Sequence, residues 1–458
     1  MASPEISGDL SQVLDSAVGV GARKSALATG SETSKLEPRP GALCTLTVPP
    51  VLIRPRVSGI GAFSHTNRTL SWCMESGARA KESPPSSTFM SVQRLILAGF
   101  LGLTAWSWAS KASAADDESD PPEPYFYKGY DYGSQALYSP LWVFLNRGFD
   151  VLQDRSGSRS IFQQEYEHNG ATVGKNLIDP IPAISHRGWG RFFREEIFPL
   201  SWTKDSARWV PNYTLHLIGG GTTYTALAEW YEQHGVPGPH WFSAGTLLAS
   251  AFLNETLENK GVVGYNTDAI ADFFFFDIGG IILFSFDWPN VLFSRGLIVS
   301  DWSLQPSFTY PNFDLHNQGN YFAVKWPIPW YPRVRAFAYM GLGTLFGASY
   351  QVTSQYSVSG GVGTMASRLV STSLNNADND VEFAKTAGLF VDRNESVLAS
   401  VQVTNVMDYF IRFNLYPNAF AVPQLGMWLV VDKGGHFVSG VSFTQALGVG
   451  AGIGTLGK

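Results

Sequence analysis

The residues best suited to chemistry lie in one stretch of this chain. His216 is followed by Gly219-Gly220-Gly221, then by Glu255 and Glu258, then by Asp268 and Asp272 as an i, i+4 pair. Imidazole and carboxylate groups move protons or ligate metal ions. Crowded into apolar surroundings, Glu255, Glu258, Asp268 and Asp272 would repel one another, and some would hold a proton above the ordinary carboxylate range. His216 would then be the proton partner or a ligand. Two other outcomes are open. The groups satisfy one another and nearby backbone and so fix helix register, or they face water. Ser243, Ser250, Asn254 and Glu258 fall near one helical face, with Glu255 one position beside it. Glu229 lies thirteen positions after His216, nearly on the opposite face, and is left out of the cluster.

Three helices must position these groups. Pro211 and Asn212 open the first, "NYTLHLIGGGTTYTALAEWYEQHG", and "HGVPGPH" breaks the chain after it. The second, "WFSAGTLLASAFLNETLENKG", closes at Gly261. The third starts near Thr267, an N-cap residue type, and covers "DAIADFFFFDIGGIILFSF". Glu229, Glu255, Asp272 and Asp277 interrupt the apolar runs, so none is a clean membrane span. The three adjacent glycines let a helix or a ligand approach the backbone closely. Upstream, "SPLWVFLNRGFDVLQD" places Leu141, Phe144, Leu145, Phe149 and Leu152 near one helical face. "SHRGWGRFFREEIFPLSW" has the cationic-aromatic mix of an interfacial segment, or of an ordinary solvated helix face.

From about residue 296 the period changes to two. Phe322, Val324, Trp326 and Ile328 share one side. Val397, Ala399, Val401 and Val403 oppose Ser400, Gln402 and Thr404, and Tyr409, Ile411, Phe413 and Leu415 oppose Arg412 and Asn414. Phe437, Val441 and Phe443 form a similar row, with Ser439 out of pattern. Turn residues ("LNNADND", "DRNES", "DKGGH") separate the runs, which predicts antiparallel strands. A transmembrane β-barrel and a soluble sandwich or barrel both fit. Trp326, Trp330, Tyr331, Tyr409, Tyr416 and Trp428 resemble the aromatic girdles of the former. The glycine-rich end, "GVGAGIGTLGK", lacks the terminal aromatic residue usual in bacterial barrels.

The front of the chain fits export. Met90–Arg94 is basic, Leu95–Ala109 is an apolar run of about 15 residues where a span needs roughly 20, and Ala112-Ser113-Ala114 supplies small residues at a cleavage spacing. A signal peptide starting at Met90 is expected, with a membrane helix as the rival. Residues 1–89 then read as a disordered leader or a misassigned start. Charged residues are only 15%, aromatics reach 14% and glycines number 46, which suits a Gram-negative envelope protein. The net charge of −6 argues against nucleic acid as a partner. Both cysteines, Cys44 and Cys73, precede Met90, so a mature chain would have no disulfide, thiol catalysis or cysteine zinc site. "SWTK" matches S-x-x-K without its companion motifs, and Gly448, Gly450 and Gly452 have no βαβ unit around them.

The order Asn212-x-x-x-His216, Glu255-x-x-Glu258, Asp268-x-x-x-Asp272 with Gly279-Gly280 resembles a bacterial domain-of-unknown-function family of exported, outer-membrane-associated proteins. More loosely, it resembles the VanZ-like membrane domain. The resemblance covers about 75 residues, from the first motif to the third, and implies an envelope location with a helical element attached to a barrel, without an assigned activity.

The expected architecture is α+β. Residues 90–114 form the signal, and 115–209 an acidic linker and an aromatic-rich irregular or helical segment. Residues 210–290 form a helical domain of about three polar-decorated apolar helices, 296–445 an antiparallel β-barrel of outer-membrane type, and 446–458 a glycine-rich tail. The expected role is structural or in envelope maintenance, with membrane lipid as partner and no cofactor. A lipid-modifying or lipid-hydrolysing enzyme using the His216/Glu255/Glu258/Asp272 cluster and a small-solute or lipid conduit are the alternatives.

Overall fold

Period-two sequence becomes sheet from Val299 onward. The computed structural model describes residues 123–154, 158–199, 212–259, 264–371, 379–406, 408–419, 424–444 and 448–455. The expected leader, signal and start of the acidic linker lie outside the described residues.

The strands are β1 (Val299–Asp301), β2 (Ser307–Thr309), β3 (Asp314–His316), β4 (Phe322–Pro327), β5 (Val334–Met340), β6 (Gly343–Gln351) and β7 (Tyr356–Ser371). They continue as β8 (Asn379–Arg393), β9 (Ser396–Thr404), β10 (Ile411–Leu415), β11 (Leu425–Val431), β12 (Phe437–Phe443) and β13 (Gly450–Gly454). They make one 13-stranded sheet in the order β1-β4-β5-β6-β7-β8-β9-β10-β11-β12-β13-β2-β3. All neighbours are antiparallel except β13 and β2. The sheet is not closed, because β1 and β3 stand at its two ends. Yet β1 and β2 belong to one extended stretch. Between them Trp302 N donates to Tyr321 O at 2.9 Å and Leu304 N to Gly319 O at 3.1 Å, so the stretch continues along the chain leading into β4 before it reaches β13.

The two faces of β9 and β10 are opposite in chemistry, while β5, β6, β8, β11 and β12 bury apolar side chains such as Phe337, Leu345, Phe390, Val430 and Val438. On β10, Arg412 and Asn414 are buried while Phe413 is exposed. On β9, Ser400, Gln402 and Thr404 are buried while Val401 and Val403 are exposed. Phe413 pairs with Val401 and Leu429 on the outer face, and Arg412 with Gln402 and Val430 on the inner one. Phe346 and Val362, paired across β6 and β7, also face out.

Two expectations for this half need correction. Trp326, Trp330 and Tyr331 are exposed, but Tyr409, Tyr416 and Trp428 are buried and belong to no girdle. Tyr416 Oη donates to Ser303 O at 2.9 Å and Trp428 Nε1 to Ser307 Oγ at 2.8 Å, so their polar tips are satisfied inside. The glycine-rich end is not wholly a tail, since it supplies β13. The Trp428 indole lies where a Cβ on Gly440 or Gly452 would come within 2.7 Å or 3.0 Å of it, so glycine there makes room for an aromatic ring.

The helices cover the buried side. Helix α1 (Pro140–Gly148) starts with Pro140 at its first turn, and the Ser139 hydroxyl accepts from Trp142 N at 3.1 Å. A 3₁₀ turn, Asp150–Asp154, follows. Leu137, Tyr138, Trp142 and Val143 share a core with Trp302, Phe337, Tyr339 and Phe390 of the sheet region. Next come α2 (Tyr166–Ile178), α3 (Pro180–Arg187), α4 (Trp189–Phe192) and a π turn, Phe193–Ile197.

The three expected helices are present, but two of them are not uniform. The first is a π segment, Asn212–Gly219, running into α5 (Gly220–Gln233). The second is α6 (Pro239–Glu258). The third is α7 (Asp268–Ile270), a π segment, Ala271–Asp277, and α8 (Ile278–Phe284), followed by α9 (Asp287–Val291). Among the described residues no single helix is long and apolar enough to cross a membrane. Asp268–Phe284 and Asp287–Gly296 pass that test only together, bent by 90°.

Candidate polar site in the helical layer

Asp277 is the centre of the site. It is fully buried, at the end of the second π segment, and ion-paired with the Arg147 guanidinium. Arg147 comes from α1, and its Nη1 also donates to Leu215 O at 3.3 Å. On the other side, His216 Nδ1 lies 3.3 and 3.4 Å from the two Asp277 oxygens. The expected close approach at the glycines is between helices. A Cβ on Gly221 would come within 2.1 Å of the Phe284 ring, and one on Gly280 within 2.5 Å of Leu217 O. A Cβ on Gly220 would stand 3.3 Å from Asp277 Oδ1 and 3.5 Å from Arg147 Nη2. The small residues therefore bring α8 against α5 and the first π segment beside the ion pair.

Beside this pair lies the carboxyl cluster. Glu255, on α6, and Asp272, on the π segment, are both buried. Burial pushes both carboxyls well above the usual range, because a low-dielectric site disfavours the charged form. Glu258, Asp268 and Asp277 raise Glu255 further, and Arg147 opposes them. Asp268, Glu255, Glu258 and Asp277 do the same to Asp272. Glu255 Oε1 and Asp272 Oδ1 have no hydrogen-bond partner among the described residues.

The approach to Asp268 is set by amides. Asp268 N donates to Asn266 Oδ1 at 3.0 Å, Asn266 Nδ2 to Asn259 Oδ1 at 3.0 Å, and Asn266 N to Asn176 Oδ1 at 3.2 Å. Thr267 Oγ1 donates to Glu196 Oε1 at 3.2 Å, and that buried carboxylate also pairs with Arg187 at 2.9 Å.

The sequence-selected residues divide cleanly. His216, Glu255, Glu258, Asp268 and Asp272 are brought into one electrostatic neighbourhood with Asp277. Asn254 supports it, with Nδ2 donating to Arg147 O at 3.2 Å. Ser250 does not, because its hydroxyl bonds back to Leu247 O at 2.7 Å on its own helix. Asn212 is buried, and its Nδ2 has no partner among the described residues. Glu229 is engaged elsewhere, accepting from Tyr125 N, Phe126 N and Tyr127 N at 2.5, 3.0 and 2.7 Å. Sequence reasoning missed Arg147, Asn176, Glu196, Asn259 and Asn266, and it read Asp277 only as a break in an apolar run. The available signal was spacing: Asp272 and Asp277 are five apart, which a π-helix brings nearly into line and an α-helix does not. π segments also recur at functional sites.

Among the described residues no group of three His, Cys, Asp or Glu side chains is arranged to hold a metal ion. The chemistry within reach is proton transfer. Asp277, fixed by Arg147, orients His216 through Nδ1 and leaves Nε2 as its second proton site. Comparison with family models, characterised proteins and solved structures gives no match to this chain.

Proposed function

We propose that this chain is an outer-membrane envelope protein. Its sheet rolls into a barrel with lipid outside, and the helical layer, locked by the Arg147–Asp277–His216 network, packs on the protein side. Its role in this reading is structural or in envelope maintenance. The carrying observation is the reversed polarity of β9 and β10: Phe413, Val401 and Val403 face out while Arg412, Asn414, Gln402 and Ser400 are buried. A soluble sheet would invert that order, whereas a bilayer favours apolar outward rows. The continuous stretch from β1 to β2 supports rolling, since it reaches both the β4 and the β13 side. Fractionation with heat-modifiable gel mobility tests the reading. A membrane-pelleted band that migrates faster before boiling is expected, and a water-soluble band unaffected by boiling overturns it.

One observation favours a second reading, acid–base chemistry on lipid. His216 keeps 16% of its side chain exposed while its partner Asp277 is fully buried, the pairing an oriented base requires. In this reading His216→Ala abolishes function at normal abundance. In the structural reading the same variant lowers abundance.

A further inference from the structure

The helical layer presents an aromatic patch whose helical segment also carries three arginines. The Trp189 ring stacks on Phe193 at 6.2 Å between centroids, and Phe193 meets Phe275 edge-on at 6.1 Å. Fully buried Phe192 contacts both Phe193 and Phe275, at 5.5 and 5.8 Å, and props the three outer rings as one surface. Trp189, Phe193 and Phe275 are exposed, as is Phe198 further along the chain. Arg191 and Arg194 flank the rings with 62% and 75% of their side chains in solvent. Arg187, Arg191 and Arg194 all share one carboxylate, Glu195, at 3.2, 3.6 and 3.4 Å. The neighbouring Glu196 is buried and pairs with Arg187 at 2.9 Å, so three arginines against two carboxylates leave one positive charge. The surface around the rings therefore carries surplus positive charge.

We propose that this patch is a lipid-docking face. Trp189, Phe193 and Phe275 enter the headgroup–acyl boundary of a bilayer leaflet, and Arg191 and Arg194 bind its anionic phospholipid headgroups. Exposed aromatic rings beside arginines match such a boundary in chemistry. Glu195 alone serves both arginines, so one of the two charges is left for an anionic headgroup to meet. This deepens the envelope reading, yet it rests on a different surface from the strands and can fail separately.

The test uses the full chain with Cys44→Ser and Cys73→Ser, which removes both of its cysteines. A nitroxide is attached at Gly190→Cys, where a Cβ meets nothing within 4 Å and the rings stay intact. A reference label sits at Val362→Cys, on the exposed side of β7. Each protein is incubated with nanodiscs of phosphatidylcholine alone or of phosphatidylcholine with phosphatidylglycerol. Accessibility to oxygen and to a water-soluble nickel complex is then read by power saturation. At 190, the oxygen-to-nickel ratio is expected to rise with phosphatidylglycerol. It is expected to fall back to its lipid-free value in Arg191→Gln/Arg194→Gln and in high salt. A ratio at 190 that ignores phosphatidylglycerol overturns docking, as does dipolar broadening that shows a second copy covering the patch. Lipid immersion at 362 alone leaves the sheet reading standing without the patch. A response at 190 with a water-exposed 362 leaves the patch standing without the sheet reading.

Discussion

The guanidinium of Arg147 meets the carboxylate of Asp277 across 130 residues of chain, and neither side chain reaches solvent to any extent that matters. This contact ties α1, which packs on the sheet, to the π segment that carries the acidic cluster. Removing one member leaves the other buried and charged, which costs about 3–5 kcal/mol where the pair is fully desolvated. Arg147→Ala is therefore expected to lower the denaturant midpoint of the folded band strongly. Arg147→Met combined with Asp277→Asn is expected to recover much of the loss, because both charges go together. A single variant as stable as the parent would show that the pair is not a tie.

Acidity should report on the neighbouring carboxyls. Glu255 and Asp272 have folded-state pKa values raised well above 4.5 and 3.8, so the folded chain binds more protons than the unfolded one over the window above those values. Stability must then fall as pH rises through that window, by about 1.4 kcal/mol per pH unit for each full proton of difference. Glu229, raised to about 6, and Asp150, raised to about 7, contribute with the same sign. Glu255→Gln with Asp272→Asn should shrink the slope of unfolding free energy against pH without abolishing it. An unchanged slope would place the excess protons on other groups.

Much of this organisation is legible in the residues. Alternation marks Phe413 and Val401 for one face and Arg412, Asn414 and Gln402 for the other, because a strand has a fixed period of two. His216, Glu255, Asp268 and Asp272 stand out because charge is costly on apolar helices. Arg147 was not legible, since pairing over such a separation depends on how α1 enters the sheet. Asp277 was hidden by an assumed α period in a segment that is π. Tyr416 and Trp428 were misjudged because an aromatic near a strand end reads alike at an outer girdle and in a filled interior. β13 was misread because its glycines make room for Trp428, and glycine in a strand otherwise weakens it.

Close helix approach gives a sharper stability test than any polar substitution. A Cβ on Gly280 would fall 2.5 Å from a backbone oxygen, that of Leu217, which cannot rotate aside. Gly280→Ala should therefore destabilise by about 1–3 kcal/mol through overpacking, against its gain in helix propensity. Gly190→Ala, in open space on α4, is the control and should be neutral or slightly stabilising. Equal midpoints for the two variants would mean that α8 and the Asn212–Gly219 π segment are not in contact.

A rolled sheet with this interior should also be electrically closed. Gln305 Nε2 donates to Asn414 Oδ1, Leu415 O and Met427 O, each at 3.2 Å, and Asn317 Nδ2 reaches Asn414 Oδ1 at 2.7 Å. Arg412 Nη2 donates to Gln153 Oε1 at 3.2 Å, which joins the strand to the 3₁₀ turn after α1. Gln153, Gln305, Asn317, Arg412 and Asn414 are all buried, so their side chains occupy this part of the inner face. Two further ties hold the α1 segment there. Asn146 bonds Leu304 O and Gly319 N at 3.1 and 2.8 Å, and Asp150 accepts from Asn320 N at 3.0 Å. The parent chain should show no steady ion conductance in planar bilayers. Asn146→Ala with Asp150→Ala orphans buried backbone groups, each costing about 1–3 kcal/mol, and about 1.4 kcal/mol is a tenfold change in an equilibrium. The double variant should therefore open transiently far more often than the parent, at unchanged single-channel size. Steady conductance from the parent chain would contradict a filled interior, and silence from both proteins would show that these two residues are not what hold the segment in place.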